Sequence, residues 1–189
     1  FGANHNQAFG HEQQQSAPSP FFVVMNPDIT WSQDPWVAML QAAQQPGVGC
    51  VYPQQVDAHG QPQDHARRLP TPGALLRRYL GGAARRRARV AAPDWANAAL
   101  LLFRSVAYQR IQGFDEAYHM YCEDVDICLR LQLAGYLLAE AQDACVVHAG
   151  QRASHRQWRH LGWHLRSLWR LWHSPAYQRF QQNHARRVG

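Results

Sequence analysis

The apolar run Phe21–Met25, which stops at Asn26-Pro27-Asp28, is the feature that most constrains how this chain folds. Continuous runs of aromatic and β-branched residues are typical of strands buried on both faces, as in a parallel sheet. The run Ala98–Phe103 has the same character and predicts a second buried strand. A chain of 189 residues with 46% apolar content can bury both strands in one core. We therefore predict an α/β fold whose sheet is flanked by helices.

Helix and strand signals fill much of the remaining chain. Asp34-Pro35 is typical of a helix start and predicts a helix over about 34–45. Glu123–Leu133 is predicted as a helix that stops before Gly135. Shorter elements are predicted as helices at Pro72–Tyr79 and Val106–Ile111, and as strands at Val48–Tyr52, Leu137–Ala139 and Ala144–His148. Phe1–Pro20 shows no clear core pattern, and because residue 1 is not Met we expect an N-terminally truncated chain.

An acidic cluster precedes and opens the predicted helix at 123. Five carboxylates fall within twelve positions, and they are Asp115, Glu116, Glu123, Asp124 and Asp126. Like charges at such spacing raise one another's pKa and are costly unless a metal, a cation or a reaction uses them. Glu123 and Asp124 are therefore candidates for general-base chemistry, while simple capping of the helix start is equally compatible. Asp126 and Arg130 stand four apart and are expected to pair in support.

Two further polar residues follow predicted strands. Asp28 ends the first apolar run, where open α/β sheets bind ligands, and a carboxylate there can hold Mg2+ or Mn2+. His148 ends the last predicted strand and could complete a metal site. An ordinary Asn-Pro-Asp turn and a structural histidine are the alternatives, and both stay open.

Charge and cysteine content narrow the partners and the compartment. The net charge is +6, from 19 basic and 13 acidic residues, with arginines clustered at 67–68, 77–78 and 85–89. This balance predicts an anionic partner, which could be a phosphate-bearing ligand, an acidic membrane surface or nucleic acid. The cysteines Cys50, Cys122, Cys128 and Cys145 lack CxxC spacing, so we expect buried free thiols in a reducing, cytoplasmic compartment.

The C-terminal segment, residues 151–189, differs from the domain predicted over 1–150. Apolar residues recur at helical spacing with arginines between them, and they are Trp158, Leu161, Leu165, Leu168, Trp169 and Trp172. This pattern predicts an amphipathic helix with a Trp/Leu face and a basic face. The helix could lie on anionic lipid through 155–173, or pack its tryptophans on the domain or on a second subunit.

Taken in order, these motifs resemble the family 2 inverting glycosyltransferases with the GT-A fold, and most closely their rhamnosyltransferase-like branch. The resemblance covers roughly residues 1–154. It rests on Phe1-Gly2-Ala3 with Asn6, on Phe21–Asp28, on Asp94-Trp95 before Ala98–Phe103, on Gly113–Glu116, on Tyr121–Arg130 and on His148. It implies transfer of a sugar from a nucleoside diphosphate donor to a glycan or lipid-linked acceptor, with inversion, in bacterial surface polysaccharide synthesis.

The resemblance also implies roles for particular residues. Asp124 matches the catalytic base with Glu123 beside it, and Asp28 and His148 match ligands of Mg2+ or Mn2+. Asn6, Asn26 and Asp28 fall on the donor side, and Trp95, Asn97, Asp115 and Glu116 on the acceptor side. Asn97 departs from the small residue, often Gly, that the family usually has there. The segment expected upstream of Phe1 normally contacts the nucleotide base.

Three other functions stay open from the sequence. A related enzyme could use another nucleotide sugar, and a non-catalytic module could bind nucleotide, glycan or membrane. A nucleic-acid binder would need aromatic residues among its basic ones, which the C-terminal segment partly offers. The acidic cluster at 115–126 opposes that last function.

Overall fold

The computed structural model describes residues 1–75, 92–149 and 158–188, with side chains assigned for 160–184 in the last range. Its helices are α1 (Gly2–Gln13), α2 (Trp36–Gln44), α3 (Ser105–Arg110), α4 (Glu123–Leu133), α5 (Trp158–His173) and α6 (Pro175–Val188). Its strands are β1 (Phe21–Met25), β2 (Ile29–Thr30), β3 (Val48–Val56), β4 (Ala66–Arg67), β5 (Trp95–Ala96), β6 (Leu100–Arg104) and β7 (Leu137–His148). Most of the predicted residues 72–79 and the arginines at 77–89 lie outside the described residues.

Five strands form one mixed sheet in the order β1-β6-β3-β7-β2, and β4 pairs with β5 in a small second sheet. Strand β3 runs parallel to β7 and antiparallel to β6. Successive residues of β6 face opposite layers: Leu101 and Phe103 join the core beneath α4, and Leu100 and Leu102 join the core beneath α2. This double burial explains the continuous apolar run and confirms the α/β prediction of a sheet flanked by helices.

Strand β1 differs from its prediction although its residues were assigned correctly. It pairs antiparallel with β6 and lies at the end of the strand order, so it was wrong to expect a parallel strand buried on both faces. Val24 is fully buried, whereas Val23 and Met25 are exposed. The reason is position: α2 packs mainly on β3, β6 and β7, which leaves the same face of the edge strand β1 largely uncovered at Val23 and Met25.

Three other predictions need correction. Residues 1–20 contain the helix α1, anchored by the buried Phe9, where no core pattern was seen. The two strands predicted at 137–148 are one strand, β7, whose pairing with β3 shifts register after Pro53. Cys145 is exposed because the buried Ala144 and Val146 face the other way, although all four cysteines are free as predicted.

The C-terminal helices pack on the same core as the sheet. Leu168 and Leu171 of α5, with Tyr177 and Phe180 of α6, belong to the core cluster beneath α4. The predicted Trp/Leu face is therefore divided, because Leu161, Leu165 and Trp169 stay exposed while Leu168 is buried. No helix in the described part of the chain is long and apolar enough to cross a bilayer.

Candidate active site

The start of α4 presents two carboxylates to a pocket. Tyr121 and Cys122 have φ values of 70° and 64°, and the helix begins directly after them at Glu123. The next residue, Asp124, accepts a hydrogen bond at its Oδ1 from the Val125 backbone N–H, at 2.8 Å. Three acidic residues in the first turn suit the positive end of the helix dipole. The predicted helix bounds 123–133 are confirmed.

The pocket beside these carboxylates has a volume of about 480 Å³. Its walls combine acidic, basic, polar and apolar side chains, among them Glu123, Asp124, Arg67, Arg68, Trp95, Asn97, Tyr121, Leu69, Leu75 and Leu168. The structure thus brings the predicted base together with Trp95 and Asn97, which were predicted for the acceptor side. A pocket of this size and mixed lining is suited to a sugar-sized ligand with apolar and charged parts.

The Asp124 carboxyl has a strongly perturbed acidity. Burial raises its pKa to about 7, and the charge of Glu123 adds to the rise. The hydrogen bond from Val125 and the charge of Arg67 oppose that rise. Burial also raises the pKa of Glu123. One oxygen of Glu123, Oε2, is buried and has no hydrogen-bond partner among the described residues, so it can accept a hydrogen bond from a ligand.

Asp28 and His148 form a second feature at the end of the sheet. Strand β2 follows Asp28 directly, and its pairing places Ile29 opposite His148. The Asp28 Oδ2 and the His148 Nε2 are 3.6 Å apart, and both side chains are accessible. Neighbouring ligands of an octahedral ion with bonds near 2.1 Å lie about 3 Å apart, so small rotations would let both bind one ion. No set of three or more potential metal ligands occurs in the residues that the structure describes.

A chain of hydrogen bonds links this pair to the pocket. Gln63 donates from its side chain to the His148 carbonyl at 2.7 Å, and its backbone N–H donates to the Gln55 carbonyl. The side chains of Gln55 and Asn97 exchange two hydrogen bonds, at 2.7 and 3.0 Å, and Asn97 lines the pocket. The sequence offered no signal for Gln55 or Gln63, since isolated glutamines carry no motif.

Two arginines of the pocket were visible in the sequence only as part of the basic clusters. Arg67 pairs with Asp64 at 3.0 Å and lies over the Trp95 ring, 5.2 Å from its centroid. Arg68 pairs with the buried Asp94 at 3.6 Å, and more than half of its side chain is exposed. Asp94 also accepts the Leu69 N–H at 2.7 Å, which fixes the 67–69 segment in the pocket wall.

Other predicted site residues have contacts that point elsewhere. The Asn6 side chain donates to the Phe114 carbonyl and to Glu116 Oε1, both at 2.9 Å, and its Oδ1 accepts from Tyr108 and from the Phe114 N–H. Asp115 pairs with Arg170 at 2.8 Å. These contacts fasten α1 and α5 to the loop before α4. The donor role of Asn6 and the acceptor roles of Asp115 and Glu116 stay predictions without support from the pocket.

The predictions for the Asp126–Arg130 pair and for Asn26 have different outcomes. Arg130 donates from Nε to Asp126 Oδ2 at 2.7 Å, as the four-residue spacing predicted, and Asp126 is buried. Arg130 also donates to the Ile111 carbonyl at 2.6 Å, which ties α4 to the end of α3. The backbone N–H of Asn26 donates to the Ala99 carbonyl, and the donor role predicted for Asn26 stays a prediction.

Comparison with known proteins gives a consistent class. No family model matches the sequence. The chain is 25% identical over 183 residues to the rhamnosyltransferase WbbL of Escherichia coli (strain K12), covering 90% of this chain and 69% of that protein. It is 33% identical over 140 residues to the N-acetylglucosaminyl-diphospho-decaprenol L-rhamnosyltransferase of Mycobacterium tuberculosis (strain ATCC 25618 / H37Rv), covering 67% of this chain and 46% of that protein.

A solved structure shares the fold of this chain. The mannosyltransferase PcManGT from Pyrobaculum calidifontis, in complex with GDP-Man and Mn2+, matches with a TM-score of 0.54 at 19% identity. The match covers 90% of this chain and 44% of that protein. The mixed sheet flanked by helices and these similarities define a glycosyltransferase with the GT-A fold. Within that class the motifs and the sequence relatives support the rhamnosyltransferase branch.

Proposed function

We propose that this chain carries the catalytic part of an enzyme that moves a sugar from a nucleoside diphosphate donor to a glycan or lipid-linked acceptor. The observation that carries the proposal is Asp124, a carboxyl with a pKa of about 7 in the wall of a pocket of about 480 Å³. A general base is most effective when its pKa lies near the working pH. The names of the sequence relatives make rhamnose the first sugar to test and surface polysaccharide synthesis the expected setting.

The chemistry follows from one ionised carboxylate. Asp124 takes the proton of an acceptor hydroxyl while that oxygen bonds to the anomeric carbon of the donor sugar. The bond from this carbon to the diphosphate oxygen breaks with its electron pair, and the nucleoside diphosphate leaves. Attack opposite the leaving group inverts the anomeric configuration. The free Oε2 of Glu123 accepts a hydrogen bond from a sugar hydroxyl and so orients the substrate beside the base.

Asp28 and His148 are the residues that would hold a divalent ion, Mg2+ or Mn2+. A carboxylate oxygen and an imidazole nitrogen 3.6 Å apart suit Mn2+, and the donor diphosphate and water would supply the remaining ligands. The ion, when bound, offsets the charge that develops on the departing diphosphate. In calorimetry with UDP, GDP and dTDP, we expect Mn2+ to tighten binding to the wild type and not to Asp28→Asn. Binding that ignores Mn2+ in both would remove Asp28 from the metal site.

The other walls of the pocket suit an acceptor with a diphosphate and an apolar tail. Arg68 supplies an accessible cation, and Leu69, Leu75 and Leu168 supply apolar surface. One relative is named for a diphospho-decaprenol sugar, which combines both features. We expect Arg68→Gln to raise the KM for a polyprenyl-diphosphate acceptor, while Arg110→Gln, an exposed arginine outside the pocket wall, leaves it unchanged. Equal KM values for the two variants would exclude Arg68 from acceptor binding.

The exposed strip of α5, formed by Leu161, Leu165 and Trp169, supports a peripheral contact with the inner face of the cell membrane. These side chains are 47%, 58% and 66% exposed. The exposed Arg166 follows Leu165 on the same helix, and such basic and apolar neighbours favour anionic lipid surfaces. In flotation with phosphatidylglycerol vesicles, Leu165→Glu should release the protein. Val106→Glu, at an equally exposed apolar site on α3, should not, and loss of flotation in both variants would contradict this assignment.

The enzymatic proposal is tested with the full-length protein and a panel of UDP-, GDP- and dTDP-linked sugars. Transfer to a polyprenyl-diphosphate sugar is followed by chromatography, and the product's anomeric configuration by NMR. We expect one donor to react, with an inverted product. Tight nucleotide binding without transfer or donor hydrolysis would instead support a non-catalytic binding module.

A further inference from the structure

The chain enters α4 through two consecutive residues in the left-handed conformation. Tyr121 and Cys122 have φ values of 70° and 64°, and neither is a glycine. Left-handed backbone is uncommon for such residues, and it persists only where surrounding structure enforces it. No side chain caps the helix at Cys122. Core packing and Arg130 hold the body of α4, whereas the position of Asp124 in its first turn also depends on the contacts that hold residues 120–122.

Those contacts come from α5. The buried Ser167 donates from Oγ to the Met120 carbonyl at 2.7 Å. The Tyr121 hydroxyl shares a hydrogen bond with His160 Nδ1 at 2.9 Å. The ring of Tyr121 also packs edge-on against the His164 ring, with centroids 5.0 Å apart. Helix α5 thus holds Tyr121, the first of the two strained residues, and Met120, the residue before it.

The same helix contacts the earlier part of the loop. Arg170 pairs with Asp115 at 2.8 Å and lies over the Tyr118 ring, 5.2 Å from its centroid. Trp163 packs edge-on against His119, with centroids 5.1 Å apart. Five of the seven residues from 115 to 121 therefore contact α5 through a side chain or carbonyl. A loop held at so many points has little freedom to relax its strained end.

We propose that α5 positions the catalytic base, with Ser167 and His160 as positioning residues that hold Met120 and Tyr121 in the geometry that places Asp124 in the pocket. Neither Ser167 nor His160 is among the described residues that line the pocket. Ser167 acts on the reaction through the backbone that leads into α4, and His160 acts through Tyr121, which lines the pocket. The inference rests on the proposed role of Asp124 as the base.

The sharpest test compares two buried serines. Ser105 donates from Oγ to the Ser19 carbonyl at 2.7 Å, the same bond length as for Ser167, and it is equally buried. It lies outside the pocket wall. Ser167→Ala and Ser105→Ala each remove one such bond, so both should lower the unfolding midpoint by a similar amount.

The two variants should differ in turnover. In the full-length protein we expect Ser167→Ala to lower kcat about tenfold with the donor KM unchanged, because small misplacements of a catalytic group are costly. Amide exchange at 120–125 should become faster in that variant alone. Ser105→Ala should keep kcat within about twofold of the wild type. A Ser167→Ala protein with wild-type kcat and wild-type exchange at 120–125 would overturn the proposal.

His160 provides an independent variant. We expect His160→Gln, which keeps a hydrogen-bonding group for Tyr121, to retain more of kcat than His160→Leu, which has none. Equal kcat values for these two variants would contradict a positioning role for His160. If Asp124→Asn keeps full activity, the proposed base is wrong, whereas the exchange data still report whether α5 holds the loop. The two failures are therefore distinguishable.

Discussion

Replacing Asp124 with Asn should stabilise the folded protein at neutral and alkaline pH. Burial, reinforced by the charge of Glu123, raises the pKa of Asp124 from 3.8 to about 7. Between these two values the folded state holds a proton that the unfolded state has released, so the free energy of unfolding falls as pH rises. Below about pH 4 the carboxyl is neutral in both states, and the destabilisation disappears.

The magnitude follows from the same two values. The gap between 3.8 and about 7 corresponds to about 4 kcal/mol of destabilisation by pH 8. Asp124→Asn removes the charge and keeps a side-chain oxygen for the hydrogen bond from the Val125 N–H. We therefore expect the variant to be more stable by about 2–4 kcal/mol at pH 8 and nearly equal to the wild type at pH 4.

Urea unfolding at pH 4, 6 and 8 measures this difference directly. Asp143→Asn, at an exposed position of β7, serves as the matched control and should show no such trend. A gain that is the same at all three pH values would mean that ionisation of Asp124 is not its source. A loss of stability at pH 8 would contradict this expectation, because it would show that the charged carboxylate stabilises the fold.

Three further predictions follow from the site and its supports. Glu123→Gln should move the acidic midpoint of the kcat/KM profile to lower pH, because the charge of Glu123 raises the pKa of Asp124. Arg67→Gln should move the midpoint to higher pH, because the charge of Arg67 lowers that pKa. Coincident pH profiles would show that neither charge acts on Asp124. Arg130→Met should lower the free energy of unfolding in urea by about 3–5 kcal/mol, because it leaves the buried Asp126 unpaired. Adding Asp126→Leu should recover part of that loss. Asn6→Ala should lower the free energy of unfolding by about 2–3 kcal/mol, because the Asn6 side chain bonds Phe114, Glu116 and Tyr108. The donor KM should stay unchanged. A raised donor KM at unchanged stability would instead support the donor role predicted for Asn6.

The apolar runs show how far pattern alone predicts a sheet. Leu100–Arg104 and Phe21–Met25 look alike in sequence, and both are strands. Only the first is covered on both faces, because α2 packs on β6 and leaves Val23 and Met25 of the edge strand β1 exposed. Position in a sheet depends on pairing with residues distant in sequence, which a local apolar pattern does not contain.

Helix α1 shows the same limit for helices. Its residues are mostly polar, and only Gly2 and Phe9 are buried. A chain segment with so few apolar residues gives little helical periodicity to detect. Its position is set by Asn6, which bonds to residues more than 100 positions away. Helix α4, with an acidic first turn and Gly135 just beyond its end, was predicted at its correct bounds.

The candidate site also contains residues that motifs predicted and residues that they did not. Asp124, Glu123, Trp95 and Asn97 were predicted from motifs, and the fold brings them into one pocket. Arg67 was visible as part of a basic cluster, but clustering alone does not indicate which arginines face a pocket. That information comes from Asp64 and Trp95, whose contacts with Arg67 form only in the folded chain.

Single-turnover transfer shows directly whether Asp124 removes the acceptor proton. The full-length wild type, Asp124→Asn and the surface control Asp143→Asn are loaded with saturating nucleotide sugar, and the first turnover is timed after acceptor is added. Calorimetry on the same samples gives the donor Kd. We expect Asp124→Asn to lose about 10²–10⁴-fold in rate at an unchanged donor Kd, while Asp143→Asn keeps the wild-type rate. A first turnover in Asp124→Asn as fast as in the wild type would contradict this expectation.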